Sequence, residues 1–320
     1  MKPLVDDVEA AERSLAAGAI AYLPVNPIEY HGPHLSLLND HHVSVGLIRD
    51  LHAALAEQHG SKPLLQTRDL DIGVDPTPGP GSIAVPFEEV KERVEEACHW
   101  LADHCAKRVV LMTFHGSPLH GLALEAGVKL LRRRGVRAFS PLNLVLRELL
   151  DLDGSRYADA YAGIEDPAER AEMIRTLPQD FHGGFFETSM ALHYAPSSVL
   201  PLYERVPPCP SFEPDRGASL ASRAAAAMGR ADLAKELALV ADGLAWQALR
   251  PFPGYTGRPH RASAEAGAAF ARAIVETYRT TGKRVLFGTE RSPRPILRWL
   301  RLATLDGRLA PKVPSEALPA

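Results

Sequence analysis

Carboxylates and imidazoles crowd one short stretch of this sequence, PVNPIEYHGPHLSLLND at residues 24–40. Glu29, His31, His34 and Asp40 fall within twelve residues there, in a loop that Pro27, Gly32 and Pro33 stiffen. Oxygen and imidazole-nitrogen donors presented together suit Zn²⁺, Mn²⁺ or Fe²⁺. One histidine in a polar loop is ordinarily a hydrogen-bonding group, but four ligand-type side chains directly after an apolar run favour a metal. His115 is a second element, set between the apolar run RVVLMT (108–113) and Gly116, from where it can point toward the first loop. Alone it would read as a strand-cap histidine. The third element is His182-Gly183-Gly184 with Glu187-Thr188-Ser189 close behind. Its glycines permit close backbone approach, and a histidine with a carboxylate five residues on could supply a proton-transfer group and a ligand. By itself that pattern is weak, because His-Gly-Gly also occurs in ordinary turns.

These residues meet only if the elements between them bring them to one place. The first half alternates helical and extended patterns, which is how a mostly parallel sheet covered by helices reads from sequence. Helices are expected over 6–17, 42–59, 87–107 and 119–134, and strands over 19–25, 63–72, 108–113 and 136–140. The segment DPTPGPG (75–81) is too turn-rich for regular structure. Sites in open α/β sheets form beyond the C-terminal strand ends, and the loops carrying His31 and His115 hold that kind of position. After residue 151 the pattern loosens and turns Pro-rich up to 214. Residues 217–249 are Ala-rich and helical, with Gly229 and Gly243 as breaks, and another helix is expected over 263–281. No internal repeat or low-complexity linker intervenes. The expectation is an α/β fold, a mostly parallel sheet flanked by helices, in a single compact domain over residues 1–282 with a C-terminal extension over 283–320.

Composition narrows the partners. The chain is 46% hydrophobic and 23% charged, and Lys plus Arg (36) nearly balances Asp plus Glu (39), for a formal charge of -3. No overall field draws in nucleic acid or an anionic membrane, so a small neutral or mixed-charge substrate is expected. The start, MKPLVDD, lacks the basic opening and apolar run of a secretory signal, and no stretch approaches the roughly 20 apolar residues that span a bilayer. Cysteines are odd in number, and Cys98 and Cys105 sit seven apart on one expected helix, about 10 Å along its axis and too far to bridge. A reducing cytoplasm follows. His99 and His104 share that helix, but adjacent helix positions face apart, which favours burial of the cysteines over a metal clip. Arg132, Arg133 and Arg134 read as a solvated helix end whose cations favour the helix dipole. Residues 75–81 lack the Lys-Ser/Thr ending of a P-loop and read as an active-site wall.

Together the motifs resemble the creatininase family of amidohydrolases. Its first motif, Glu-x-His-Gly-x-His-Leu-Pro with an Asp eleven residues after the Glu, is similar to Glu29-Tyr30-His31-Gly32-Pro33-His34-Leu35-Ser36 and Asp40, with the spacing kept. The second, Asn-Gly-His-Gly-Gly-Asn, appears in part as Thr113-Phe114-His115-Gly116-Ser117-Pro118. The third, His-Ala-Gly followed by Glu-Thr-Ser, appears as His182-Gly183-Gly184 and Glu187-Thr188-Ser189. Residues 78–83 look like the family's Pro-Gly-Thr loop, and Gly257, Pro259, Ala262 and Gly267 resemble its closing segment. The likeness runs from about residue 15 to 275. It implies one or two divalent ions (Zn, Mn or Fe) per subunit, with Asp40 bridging, Glu29 and His115 on one ion, His31 on the other, Glu187 as a further ligand and His182 as the proton-transfer residue. It also implies a homo-oligomer, a hexamer by family habit.

The departures bear on the substrate. Creatininase carries a metal-binding Glu two residues after the second-motif His, where Ser117 stands, and Pro118 replaces the Asn that ends the motif; His120 is a candidate substitute for that amide. The Trp that closes on creatinine has no counterpart in Leu177-Pro178-Gln179-Asp180, and Phe185 stands where many relatives carry a carboxylate, which predicts a more apolar pocket. The resemblance therefore implies a metal-dependent amidohydrolase cleaving a non-peptide C–N bond, in a cyclic amide or a formamide, with creatinine not the first choice. The alternative is a non-catalytic or altered creatininase-fold metal-binding protein in which the second motif has decayed.

Overall fold

A computed structural model describes residues 4–60, 62–151 and 154–309. Four parallel strands, β1 (Ile20–Pro24), β2 (Leu65–Gln66), β3 (Arg108–Met112) and β4 (Arg137–Phe139), form one sheet in the order β2-β1-β3-β4. β1 and β3 pair along their full length, with Ile20 opposite Arg108 and Pro24 opposite Met112. Their carboxyl ends are therefore level, which sets the loops after Pro24 and after Met112 side by side.

Alternation along the strands feeds two cores. Ile20, Tyr22, Val110, Met112 and Phe139 face the helices Asn39–Ala54 and Ala264–Gly282, where Leu47, Leu51, Phe270 and Ile274 are buried. Ala21, Leu23, Val109, Leu111 and Ala138 face the helices Phe87–Asp103 and Pro118–Arg133. A fully buried Leu, Ile or Phe stabilises by about 1.5–3 kcal/mol relative to an exposed one. Burial on both faces explains why β1 and β3 read as continuous apolar runs.

The mostly parallel sheet flanked by helices is the expected architecture, with differences at the edges. Of the stretch expected as a strand over 63–72, only Leu65 and Gln66 join the ladder. Beyond them the backbone bonds irregularly, from Arg68 N to Leu4 O and from Leu70 N to Pro24 O, because the Asp69 side chain turns inward. Gly229, at φ 73, separates two helices, whereas Gly243 lies inside Ala231–Gln247 and breaks nothing. The helix holding Cys98 ends at Asp103, so Cys105 lies beyond it, exposed at φ 67. After Gly282 the chain continues into a π-helical turn, Lys283–Phe287, which places Val285 and Leu286 in the core against β4. Among the described residues no helix is long and apolar enough to cross a membrane.

Candidate metal centre

Glu29, His31, Asp40, His115, His182 and Glu187 are all buried and meet in one cluster. The loop after β1 delivers the first two. Asn26 anchors it: its Oδ1 accepts from Ser44 Oγ (2.9 Å) and Phe114 N (3.1 Å), and its Nδ2 donates to Asp69 Oδ2 (2.6 Å). One amide thus ties together both strand ends, the Asn39–Ala54 helix and the loop after β2. The turn-rich loop over 75–81 then holds Glu29, whose Oε1 accepts from Thr77 N at 2.6 Å. Ser82 completes the clamp by donating to Thr77 O and accepting from Tyr30 N. Gly79 is required there, since a Cβ would stand 2.3 Å from the Tyr30 ring.

Each histidine of the cluster spends one ring nitrogen on a backbone carbonyl and turns the other inward. His31 Nδ1 donates to Glu29 O (3.0 Å), which leaves Nε2 facing Asp40 Oδ1 (3.3 Å), Glu187 Oε2 (3.6 Å) and Glu29 Oε2 (3.8 Å). His115 Nε2 donates to Val74 O (2.8 Å), and its Nδ1 faces Glu29 Oε2 (2.8 Å) and Asp40 Oδ2 (3.7 Å). His182 Nε2 donates to Tyr30 O (2.8 Å), and its Nδ1 lies 3.8 Å from Glu29 Oε1. A carbonyl that fixes the tautomer and aims the remaining lone pair is the outer-shell arrangement of metal-binding imidazoles. Asp40 comes from the first turn of Asn39–Ala54, and Glu187 from the first turn of Phe185–Tyr194, where Gly183 N donates to its Oε2 (2.6 Å).

Within this cluster three sets each bring their donor atoms within 4.8 Å of one another: Glu29, Asp40 and His115; His31, Asp40 and Glu187; and Glu29, His31 and His182. The first two share Asp40, whose Oδ2 faces His115 and whose Oδ1 faces His31. Apart from the inward nitrogens of His31 and His115, no donor reaches either oxygen of Asp40 or Oε2 of Glu29, although all three are buried. Buried carboxylate oxygens left without donors are costly, and a divalent cation between them removes the cost. The donor set therefore fits an ion.

Without an ion the cluster must balance its charge with protons. Burial alone would lower the pKa of His31, but Asp40 and Glu29 outweigh it and bring it up to about 10; His115, against the same burial and beside Glu29, rises to about 9. Burial raises Asp40 and carries Glu187 to about 8, while Glu29, facing three imidazoles, is held well below the usual carboxylate range despite its burial. His182, buried and stacked on His31 with centroids 4.3 Å apart, is pushed down to about 3.

Other residues singled out from sequence take different places. His34 stays outside the donor sets; its Nε2 bonds Thr188 Oγ1 (2.9 Å) and braces the first loop on the Phe185–Tyr194 helix. Ser117 caps the Pro118–Arg133 helix, with Oγ accepting from His120 N. His120 does not replace the missing amide, because its Nε2 bonds Val25 O (3.1 Å) behind His115. Phe185 packs against Tyr161 and Phe270 in the core, so the expected more apolar pocket wall is not formed there.

Sequence reasoning missed the supports of His182. Thr256 brackets it, with Oγ1 accepting from His182 N (3.0 Å) and N donating to His182 O (2.7 Å). Asp180 Oδ2 accepts from Phe185 N (3.0 Å), and Gly184 and Gly257 leave the room its carboxylate fills. Trp246 approaches His182 to 5.5 Å between ring centroids, from a helix far along the chain. The contacts of Thr256 and Trp246 leave no spacing signal, as they lie over 60 residues from His182, and Asp180, two residues before it, carries no motif that marks it as a support. Asn26 and Asp69 likewise gave none beyond Asn26 following a strand.

A family model described as "Creatininase: Creatinine amidohydrolase" matches residues 6–281. Three solved structures share the fold. A mutant creatininase of Zn-Zn type is 20% identical with a TM-score of 0.56, over 87% of this chain and 95% of that one. A crystal structure of creatinine amidohydrolase (creatininase) is 22% identical with a TM-score of 0.53, over 89% and 98% of the two chains. An Mn creatininase is 22% identical with a TM-score of 0.51, over 87% and 95%. No curated protein matches the chain in sequence.

Proposed function

The chain belongs to the creatininase family, and from that premise we propose that it is a metal-dependent amidohydrolase acting on a non-peptide C–N bond of a small molecule, a cyclic amide or a formamide. The observation that carries this reading is the pair of buried donor sets that share Asp40. Glu29, His115 and one oxygen of Asp40 would hold one ion, and His31, Glu187 and the other oxygen a second. Such ions lower the pKa of a water and polarise the carbonyl it attacks. His182 stands at the edge of the cluster, stacked on His31 and bonded to Tyr30 O, and its Nδ1 would be free to carry a proton between the attacking water and the departing nitrogen. The Zn-Zn and Mn forms of the related structures make zinc and manganese the ions to try first.

Elemental analysis of protein made in metal-supplemented medium and purified without chelator tests the reading. At least about one equivalent of Zn, Mn or Fe is expected in the wild type and almost none in Asp40→Ala, since no neighbouring side chain replaces a group shared by both sets. Equal, sub-stoichiometric metal in the two proteins would refute it. Lactams, cyclic ureas and formamides, screened with each metal, then identify the substrate class. Full metal with no turnover on any of them would favour the altered, non-catalytic member, for which Ser117 acting as a helix cap is the supporting observation.

A further inference from the structure

Away from the metal centre, a cleft opens between the Pro118–Arg133 helix and the segment 288–301. It comprises two hollows of about 300 and 230 Å³ whose walls share Glu125, Lys129 and Arg298. The second hollow sets Lys129, Arg132, Arg291, Arg294 and Arg298 against Glu125 alone. That carboxylate is already paired with Lys129 at 3.1 Å. Arg132, Arg133, Arg291, Arg294 and Arg298 have no ion pair or side-chain hydrogen bond among the described residues, whereas Arg134 next door pairs with Asp103 and Arg301 with Glu88 and Asp306. The chain as a whole carries a formal charge of -3, so this convergence is not the by-product of a basic protein.

The arginines stand on fixed backbone. Ile296 and Leu297 are buried, Leu297 adopts φ 54, and its N–H donates to Glu236 Oε1 (2.9 Å) while Trp299 Nε1 donates to Glu236 Oε2 (2.8 Å). Ser292 Oγ accepts from Ser140 N (3.1 Å), and the Arg294 carbonyl accepts from Arg147 (3.1 Å). Pro293 and Pro295 stiffen the intervening turn. A left-handed leucine held at both ends is a built conformation, and it keeps like charges together that free side chains would spread apart.

We propose that this cleft binds a compact, multiply charged phosphate, two or three phosphoryl groups long, gripped by Arg132, Arg291, Arg294 and Arg298. Guanidinium forks pair with oxyanions two bonds at a time, which favours phosphate or carboxylate oxygens over a halide, and the number of unpaired guanidinium groups favours the more highly charged phosphate. Several unpaired cations call for several negative charges on one ligand. A hollow of about 230 Å³ admits a small molecule and not a helix or a duplex. The ligand is either a free oligophosphate or the phosphate tail of a nucleotide.

Calorimetric titration of the full, metal-loaded chain with tripolyphosphate, ATP and inorganic sulfate tests the proposal. One tripolyphosphate per chain is expected to bind, weakening as salt is raised from 50 to 200 mM and competing only poorly with sulfate. ATP binding as tightly as tripolyphosphate assigns the tail of a nucleotide, and much weaker ATP binding assigns a free oligophosphate. The exposed triple variant Arg291→Gln, Arg294→Gln, Arg298→Gln should lose affinity by at least about tenfold with an unchanged circular dichroism spectrum, and Arg132→Gln alone should lose part of that. Asp40→Ala, which empties the metal centre, should bind as the wild type does. The proposal is overturned by no binding at about 1 mM, by an intact affinity in the triple variant, by loss of binding in Asp40→Ala, or by a duplex oligonucleotide that displaces tripolyphosphate.

Discussion

The two halves of the candidate metal centre are held in place by different physics. Glu29, His31 and His115 hang from the level carboxyl ends of β1 and β3, and Asp40 from the first turn of the helix that the loop after β1 enters, where sheet register sets the geometry and the polar groups of Asn26, Thr77 and Ser82 refine it. His182 and Glu187 enter from the helical half, where backbone approach sets the geometry. A Cβ on Gly183 would lie 2.7 Å from His31 O, so the second half reaches the first only because that position carries no side chain, and one on Gly267 would lie 2.0 Å from Ser189 O, which lets the helix carrying Glu187 pack on Ala264–Gly282. The strand-end half is rigid through hydrogen-bonded sheet, whereas the helical half is rigid through contact. Substitutions should therefore act on metal content in the first half and at Glu187, and on turnover or stability at His182 and its supports in the second.

The sharpest break of that contrast is His182→Ala. If His182 is the proton-transfer group proposed above, His182→Ala should leave metal content near wild type while turnover falls by roughly 10²–10⁴-fold. The loss should be smallest for substrates whose leaving nitrogen is a weak base, because these need little protonation as the bond breaks. Metal content and rate are measured on the same preparations with two substrates of differing leaving-group basicity. Metal lost along with activity would make His182 a ligand, which its place in the donor set with Glu29 and His31 permits, and would erase the distinction between the halves. Equal rate losses on both substrates would remove it from the rate-limiting proton transfer.

The same contrast explains what was legible in the sequence. Glu29, His31 and Asp40 could be found because a loop between a strand and a helix keeps its ligands at fixed spacing along the chain, and His115 because it follows a buried apolar run. His182 and Glu187 were visible through resemblance, His-Gly-Gly being a weak pattern alone. The parallel sheet followed from period and apolar runs, and it failed at residues 63–72, where an inward-turned Asp69 outcompetes strand pairing. Thr256 and Trp246 had no signal, because contacts across more than 60 residues are made by the fold and leave no local period.

A smaller effect is expected at Asp180. Burial lifts its carboxyl to about 7, against backbone N–H groups of Phe185 and Phe186 that lower it, and its Oδ1 has no donor. The folded pKa lies above the ordinary value of 3.8, so the folded state binds the proton more tightly than the unfolded chain does. The resulting stability is fully present below about pH 4 and is lost as pH rises toward 7. Asp180→Asn keeps an acceptor for Phe185 N and stays neutral, so its stability relative to wild type should rise between pH 4 and 7, by at most about 4 kcal/mol, and level off above. Denaturant unfolding of both proteins across that range checks it. A difference that stays flat with pH would mean that Asp180 is ionised throughout and that the helical half is held by charge at a helix start.

The least change is expected at Ser117, and it decides where the strand-end half stops. Resemblance places a metal-binding carboxylate at this position in creatininase, while here the hydroxyl caps the Pro118–Arg133 helix by accepting from His120 N, with Pro118 in the first helical turn. Losing an N-cap of this kind costs about 0.5–2 kcal/mol. Ser117→Ala should therefore lower stability by about 1 kcal/mol and leave metal content and turnover within error of wild type, and Ser117→Asp, a good cap, should recover the stability. Both are read from denaturation midpoints beside elemental analysis. A fall in metal content in Ser117→Ala would instead place the hydroxyl in the cluster and extend the strand-end half beyond His115. If Ser117→Asp raises metal content above wild type, the loop still lies within ligand reach of the ions, and the second-motif change from carboxylate to serine has cost this chain a ligand while giving it a helix cap.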